Sequence, residues 1–267
     1  MPRYFSNHNK LFLFLIVISL LPFAGIRTVV AQTRETGSFS SWFFYNLGKL
    51  HNNISATNSA IMYYTIAVDI NNKFEAAYLG RGNTYYKIGD CRKALEDYTQ
   101  YINLTESPDG YVNRGAAYVC MGYVENAMND LDRALAITPN YMHAFFWRGA
   151  IYYNEGSYEA AILEFNKVLQ IIPGDRNIYV YRAHSYFGLG EYVKSIDDYS
   201  KVLQLNSQDS VGYIGRAMAY SALGEYKKAI PDYDMALKLN PAWIVGHSMR
   251  MDAVIKLGEY DGEEASK

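Results

Sequence analysis

A single period governs this sequence. A small residue near the middle of successive helical runs marks it: Gly48, Gly82, Gly115, Gly149, Ala183, Ala217 and Met251 follow one another at steps of 34, 33, 34, 34, 34 and 34. A second glycine keeps the same register seven residues later, at Gly89, Gly122, Gly156, Gly190, Gly224 and Gly258. A unit of this length is too short to enclose a core of its own. Each copy must bury its apolar face against its neighbours, so the chain is expected to form one stacked array.

Each copy reads as two helices. In Met142 to Asp175, Phe145, Gly149 and Tyr152 share one face of a first helix, Gly156 interrupts it, and Ala161, Phe165 and Val168 share a face of a second. The interrupting glycine supplies the left-handed residue that ends a helix without strain. Ala60, Ala94, Ala127, Ala161 and Ala229, with Ser195 once in the same place, mark where two helices approach closely. Tyr64, Tyr98, Leu131, Phe165, Tyr199 and Tyr233 fill the space beside them. Pro139, Pro173 and Pro241 stop three second helices, and Pro231 is expected in or near a first turn, where a missing donor is harmless.

The spacing F-x2-R-G-x2-Y, then A-x3-F, then P, resembles the tetratricopeptide repeat, in a variety rich in Arg-Gly. Arg148 stands where that family usually has Leu. The resemblance covers Ser41 to the C-terminus. It implies an all-α fold: a right-handed superhelical solenoid of about six tetratricopeptide repeats plus a C-terminal half repeat, first helices lining the concave side. The copies are 41–74, 75–107, 108–141, 142–175, 176–209 and 210–243, with a half copy at 244–267. The first is degenerate, with Ser55 for the inter-helix glycine and His51 where Tyr is usual. In the half copy a first helix is expected over Ile244 to Leu257, with a charged end piece after it.

Before the array, Arg3 and Lys10 precede an apolar run from Leu11 to Leu21, and Val29 and Ala31 allow cleavage after Ala31. Residues 1–31 therefore read as a secretory signal peptide, too short in its apolar part for a spanning helix, and 32–40 as a linker. The expected location is exported, periplasmic or secreted; an anchor through an uncleaved signal is the alternative. Removing 1–31 leaves 22 basic and 27 acidic side chains, a net charge of −5. That balance argues against nucleic acid or an anionic membrane surface as partner.

Two columns are charged. Arg81, Arg114, Arg148, Arg182, Arg216 and Arg250 precede the marker residue, and Asp97, Asp130, Glu164, Asp198 and Asp232 precede the large aromatic of the second helix. The expectation is a structural ion-pair ladder; a row of arginines for an acidic ligand is the alternative. Pairing within a copy strands Arg250, and pairing to the previous copy strands Arg81. By resemblance, the groove falls on Tyr45, Lys49, Asn83, Tyr86, Lys87, Val112, Val119, Cys120, His143, Phe146, Tyr153, Asn154, His184, Phe187, Ile214 and Met218. It is an aromatic surface with few charges, suited to a peptide or a helix. Asn83 echoes one member of the clamp that a chaperone-binding subgroup uses, but Leu79, Asp109 and Asn113 stand where its other positions need Lys or Arg. Cys91 and Cys120 are either disulfide-bonded or two buried free thiols.

No catalytic or metal-binding spacing is found, so no enzyme activity and no cofactor are expected. Gly80-Arg81-Gly82 lies inside a helical run and follows no strand, which removes the dinucleotide reading. The function expected is an exported protein–protein interaction scaffold that holds a protein or peptide partner in its groove. The alternative is a self-associating structural solenoid within an envelope complex, joined through the Trp42-Phe43-Phe44-Tyr45 end.

Overall fold

The computed structural model describes residues 37–265, with side chains from 39 to 258. The expected signal segment, and 32–36 of the linker, lie outside the described residues. Thirteen helices and no strand are found among the described residues. They are α1 (Gly37–Asn53), α2 (Thr57–Ile70), α3 (Glu75–Lys87), α4 (Cys91–Thr105), α5 (Pro108–Cys120), α6 (Val124–Ile137) and α7 (Met142–Asn154). Then come α8 (Tyr158–Ile171), α9 (Arg176–Gly188), α10 (Tyr192–Leu205), α11 (Ser210–Ala222), α12 (Tyr226–Leu239) and α13 (Ile244–Ala265). Odd-numbered helices are the first of a copy and even-numbered ones the second. The helix starts at Gly37, so the last residues of the expected linker are helical; Ser40 and Ser41 are buried there and Phe39 packs on Trp42.

The hairpin turns follow from local chemistry. Gly89, Gly122, Gly156, Gly190 and Gly224 all take positive φ, between 74° and 81°, and Ser55 takes φ 61° in the first copy. At the other end of two copies, Ile172 and Asn240 leave the helix with φ −129° and −137°. Each precedes a proline, whose ring crowds the helical conformation of the residue before it. Asp90, Ser107, Asp175 and Asp209 cap α4, α5, α9 and α11 by accepting an amide two or three residues on. Pro231 is the sixth residue of α12, a turn deeper than the sequence suggested, and lies on its exposed side, so the missing donor does not face the core.

Packing divides the chain into two compact units, up to Ala127 and from Met128. In the first, Phe44, Ile66, Tyr78 and Tyr101 form one core cluster, and Ala94, Tyr98 and Ala117 a second. In the second unit, Phe145, Phe165, Val168 and Ile178 form one cluster and Ala217, Ala229, Tyr233 and Ala253 another. The marker glycines are small because a ring lies over them. A Cβ built on Gly48 would stand 2.7 Å from Tyr64, one on Gly82 2.8 Å from Tyr98, and one on Gly149 2.7 Å from Phe165. Burial of each such ring contributes about 2–3 kcal/mol before entropy is counted.

The half copy departs from the pattern. Gly258 sits in the register of the turn glycines, yet α13 runs through it to Ala265. Glycine permits the left-handed turn but does not compel it. A turn forms where a second helix folds back to pack; here α13 stays helical through the position instead.

Candidate functional site: the face of the first helices

The arginine column is held on two sides. Arg81 donates from Nε and Nη2 to both carboxylate oxygens of Asp97, at 2.9 and 2.7 Å, and from Nη1 to Oγ1 of Thr65 at 3.1 Å. Arg182 grips Asp198 in the same way and reaches Asn166; Arg216 grips Asp232 and reaches Ser200. The acid belongs to the arginine's own copy and the third partner to the copy before. Arg114 extends Nη1 to Thr99, Arg148 extends Nη1 to Asp132, and Arg250 pairs with Asp234. Arg250 is therefore not stranded: its partner lies one residue past the large aromatic of the previous copy. Asp130 is buried in the second unit.

Tyrosines flank several of these guanidinium groups. Tyr179 and Tyr186 lie 5.5 and 5.8 Å from Arg182, and Tyr111 and Tyr118 lie 5.7 and 6.0 Å from Arg114. Burial pushes Asp97 and Asp198 above the usual carboxylate range despite the hydrogen bonds from Arg81 and Arg182. With both edges of the fork occupied, Arg81, Arg182 and Arg216 have no free edge to offer an acidic ligand.

The groove positions divide into those that meet and those that do not. In the first unit, Tyr45, Lys49 and Asn83 line a cavity of about 210 Å³ between α1 and α3, floored by Tyr64. In the second, His184, Phe187, Ile214 and Met218 line one of about 170 Å³ between α9 and α11, floored by Tyr199. Tyr86 is half-buried beside Tyr98, while Lys87, His143 and Asn154 are exposed. Phe146 and Tyr153 are half-buried, packed on Tyr181 at 5.6 and 6.0 Å. Two residues do not serve as groove surface: Val112 is buried, and Cys120 is bonded to Cys91, Cα to Cα 6.3 Å. That disulfide joins the start of α4 to the end of α5.

The two cavities are built from the same register positions. Tyr64 and Tyr199 correspond, as do Gly80 and Gly215, Lys49 and His184, and Asn52 and Phe187. So do Ala76 and Val211, Leu79 and Ile214, and Asn83 and Met218. The opening depends on the glycine two residues before the marker. In that column the other copies carry Asn46, Asn113, Trp147, Tyr181 and Met249. A Cβ on Gly80 would stand 2.8 Å from Tyr64, and one on Gly215 2.1 Å from Tyr199, so each tyrosine ring lies flush against its glycine as the floor of the cavity. Sequence reasoning missed this column; its alternation between glycine and bulky residues was the available signal.

The linings differ in chemistry. The first cavity has Lys49, Asn52, Asn53 and Asn83, and Asn83 accepts the Tyr98 hydroxyl at 2.9 Å, which turns its amide donors outward. Burial, with Tyr45 beside it, pushes the Tyr64 phenol up to about 12. The second cavity is apolar apart from the His184 ring and the Tyr199 hydroxyl. Burial, then the charge of Arg176, holds His184 below the usual imidazole range, and burial raises Tyr199. Among the described residues no cluster of three or more His, Cys, Asp or Glu could hold a metal ion, and no helix is long and apolar enough to cross a membrane.

Comparison with known proteins agrees with this architecture. Two models of the tetratricopeptide repeat match, over residues 112–176 and 210–242. The chain carries tetratricopeptide repeats. A human protein, tetratricopeptide repeat protein 6, is 31% identical over 84 residues, 32% of this chain and 16% of that protein. The chain spans less than a quarter of the length of the curated relatives it matches first, 16% and 22%. Among solved structures, the APC/C hetero-tetramer Cut9–Hcn1 holds a similar chain, with a TM-score of 0.70 at 17% identity over 86% of this chain and 45% of that one. A tetratricopeptide repeat protein of Parabacteroides merdae has a TM-score of 0.62 at 20% identity, over 85% of this chain and 93% of that one. Tetratricopeptide repeats generally mediate protein–protein interaction and are typically non-catalytic scaffolds.

Proposed function

We propose that this chain is an exported, non-enzymatic scaffold that holds a peptide or helix against its first helices. The observation that carries the reading is the pair of cavities built on one register, each floored by a tyrosine and opened by a glycine. A preformed surface of this kind binds at low ordering cost, because the packed helices fix it beforehand. Export is supported by the layout of residues 1–31 and by the Cys91–Cys120 disulfide, a bond that persists in oxidising compartments.

Partner capture from envelope extract tests the binding face. The Phe146→Ala, Tyr153→Ala double variant is expected to lose the partners that the parent chain retains; an unchanged set overturns the placement. Mass measurement of the chain recovered from the envelope tests export, with a start at Gln32 expected. Self-association is the second reading, favoured by the exposure of Phe39 and Trp42 at 41% and 54%. Phe44 does not contribute to that surface, being buried in the core. Light scattering separates the readings: a concentration-dependent mass supports self-association.

A further inference from the structure

We infer that the cavity between α9 and α11 is a receptor for one aromatic side chain of a bound partner. The inference rests on the groove reading above and narrows it to a chemical class. One copy earlier, the chain fills the equivalent place itself. Tyr181 occupies the column of Gly215, and its ring stacks on Phe165 at 5.7 Å, with Phe146 at 5.6 Å and Tyr153 at 6.0 Å as walls. In the next copy the floor ring is Tyr199 and the wall at Tyr153's position is Phe187, but Gly215 supplies no ring. The space left is about 170 Å³ and is lined mostly by apolar side chains, with His184 beside them.

Charge selects the occupant further. No lysine, arginine or carboxylate lines the cavity. Arg176, the charge that acts on His184, is held by both carboxylate oxygens of Asp209, at 2.6 and 2.8 Å. An uncharged lining disfavours Lys, Arg, Asp or Glu, whose charge would lose water without gaining a partner. His184 already stacks on Tyr153 at 6.2 Å and meets Tyr199 edge-on at 5.8 Å, so the walls offer ring faces and edges to an entering ring. A phenyl or phenol side chain satisfies all of these conditions; the cavity over Tyr64, with Lys49 and three asparagines, does not share them.

The test titrates N-acetyl-phenylalaninamide into full-length chain carrying labelled methionine methyls, following the resonance of Met218. A saturable ring-current shift is expected, with N-acetyl-leucinamide binding at least about tenfold more weakly. The double variant Gly215→Tyr, Tyr199→Phe transplants the filled register of the previous copy and is expected to abolish the shift. Val211→Trp, at the exposed rim, is the second blocking variant if the first does not fold. No saturable shift, equal affinity for the two amides, or a shift that survives in a folded blocked variant overturns the inference. Failure here leaves the groove reading standing, since that depends on partner capture and on Phe146 and Tyr153. Capture lost only in the Phe146→Ala, Tyr153→Ala variant, together with a silent probe, sinks the aromatic receptor alone.

Discussion

Arg148 and Glu164 meet through one contact, Nη2 to Oε1 at 3.2 Å, where the equivalent pairs in the next two copies close a two-bond fork. Glutamate is one methylene longer than aspartate, and its carboxylate meets the guanidinium through one nitrogen instead of two. Arg148 Nε and Glu164 Oε2 are buried without partners as a result, and Lys167 donates to the same Oε1 at 3.0 Å. Glu164→Asp is expected to restore the fork and satisfy both atoms. A gain of about 1 kcal/mol corresponds to a melting temperature higher by about 2–4 °C in a chain of this size. Thermal unfolding by circular dichroism measures it, and an unchanged or lower midpoint contradicts the account.

The disulfide is the second place to intervene. Cys91 and Cys120 are 29 residues apart in sequence and close a loop between neighbouring copies. Releasing a loop of that length costs about 3–4 kcal/mol on chain-entropy grounds. Reduction, or Cys91→Ala with Cys120→Ser, is expected to speed amide exchange in α4 and α5. Exchange in α9 to α12 should stay as it was. Uniform loss of protection would show that the bond acts on more than its own copies.

Glycines in one register should respond with opposite signs. Gly156 has φ +75°, and Gly258 lies inside α13; a Cβ at either meets nothing within 4 Å. Gly156→Ala is expected to destabilise by about 1–2 kcal/mol, from the left-handed backbone alone. Gly258→Ala is expected to stabilise by about 0.5–1 kcal/mol, because glycine is a poor helix former. Denaturant titration of both variants checks the sign, and a destabilising Gly258→Ala would mean that a turn forms there.

Asp209 gives a pH signature. The hydrogen bond from Arg176 holds its carboxyl below the usual range against the effect of burial, and the Gly212 amide adds to it. The folded chain thus binds that proton less readily than the unfolded one. The stabilisation is complete above the ordinary aspartate value of about 3.9 and fades as pH falls through the lower, folded value. Asp209→Asn is expected to lower the melting temperature at pH 7 and to match the parent progressively more closely below about pH 4. A difference that is constant with pH would assign the effect to the cap of α11 rather than to the carboxylate's charge.

The sequence made the helices legible because their punctuation is repeated. Turn glycines and prolines recur at a fixed interval, and Arg81 and Asp97 recur as a matched pair of columns. What it did not disclose was held by residues alike only in size or polarity. Thr65, Thr99, Asp132, Asn166, Ser200 and Asp234 share a register position and little else, so they do not stand out as a column. The cavities depend on a side chain that is missing, at Gly80 and Gly215, and on the neighbouring ring that lies against the glycine as a floor. Gly258 shows the limit from the other side: its register matches the turn glycines, but α13 continues through it as helix.

Within each unit the arginine contacts repeat by sequence offset. Arg81, Arg182 and Arg216 each take a carboxylate sixteen residues ahead and a polar oxygen sixteen residues behind. Duplicating one period therefore reproduces both the plug and the socket, and deleting one removes both together. Such a protein can change length in evolution or by design without leaving a stranded charge at the seam.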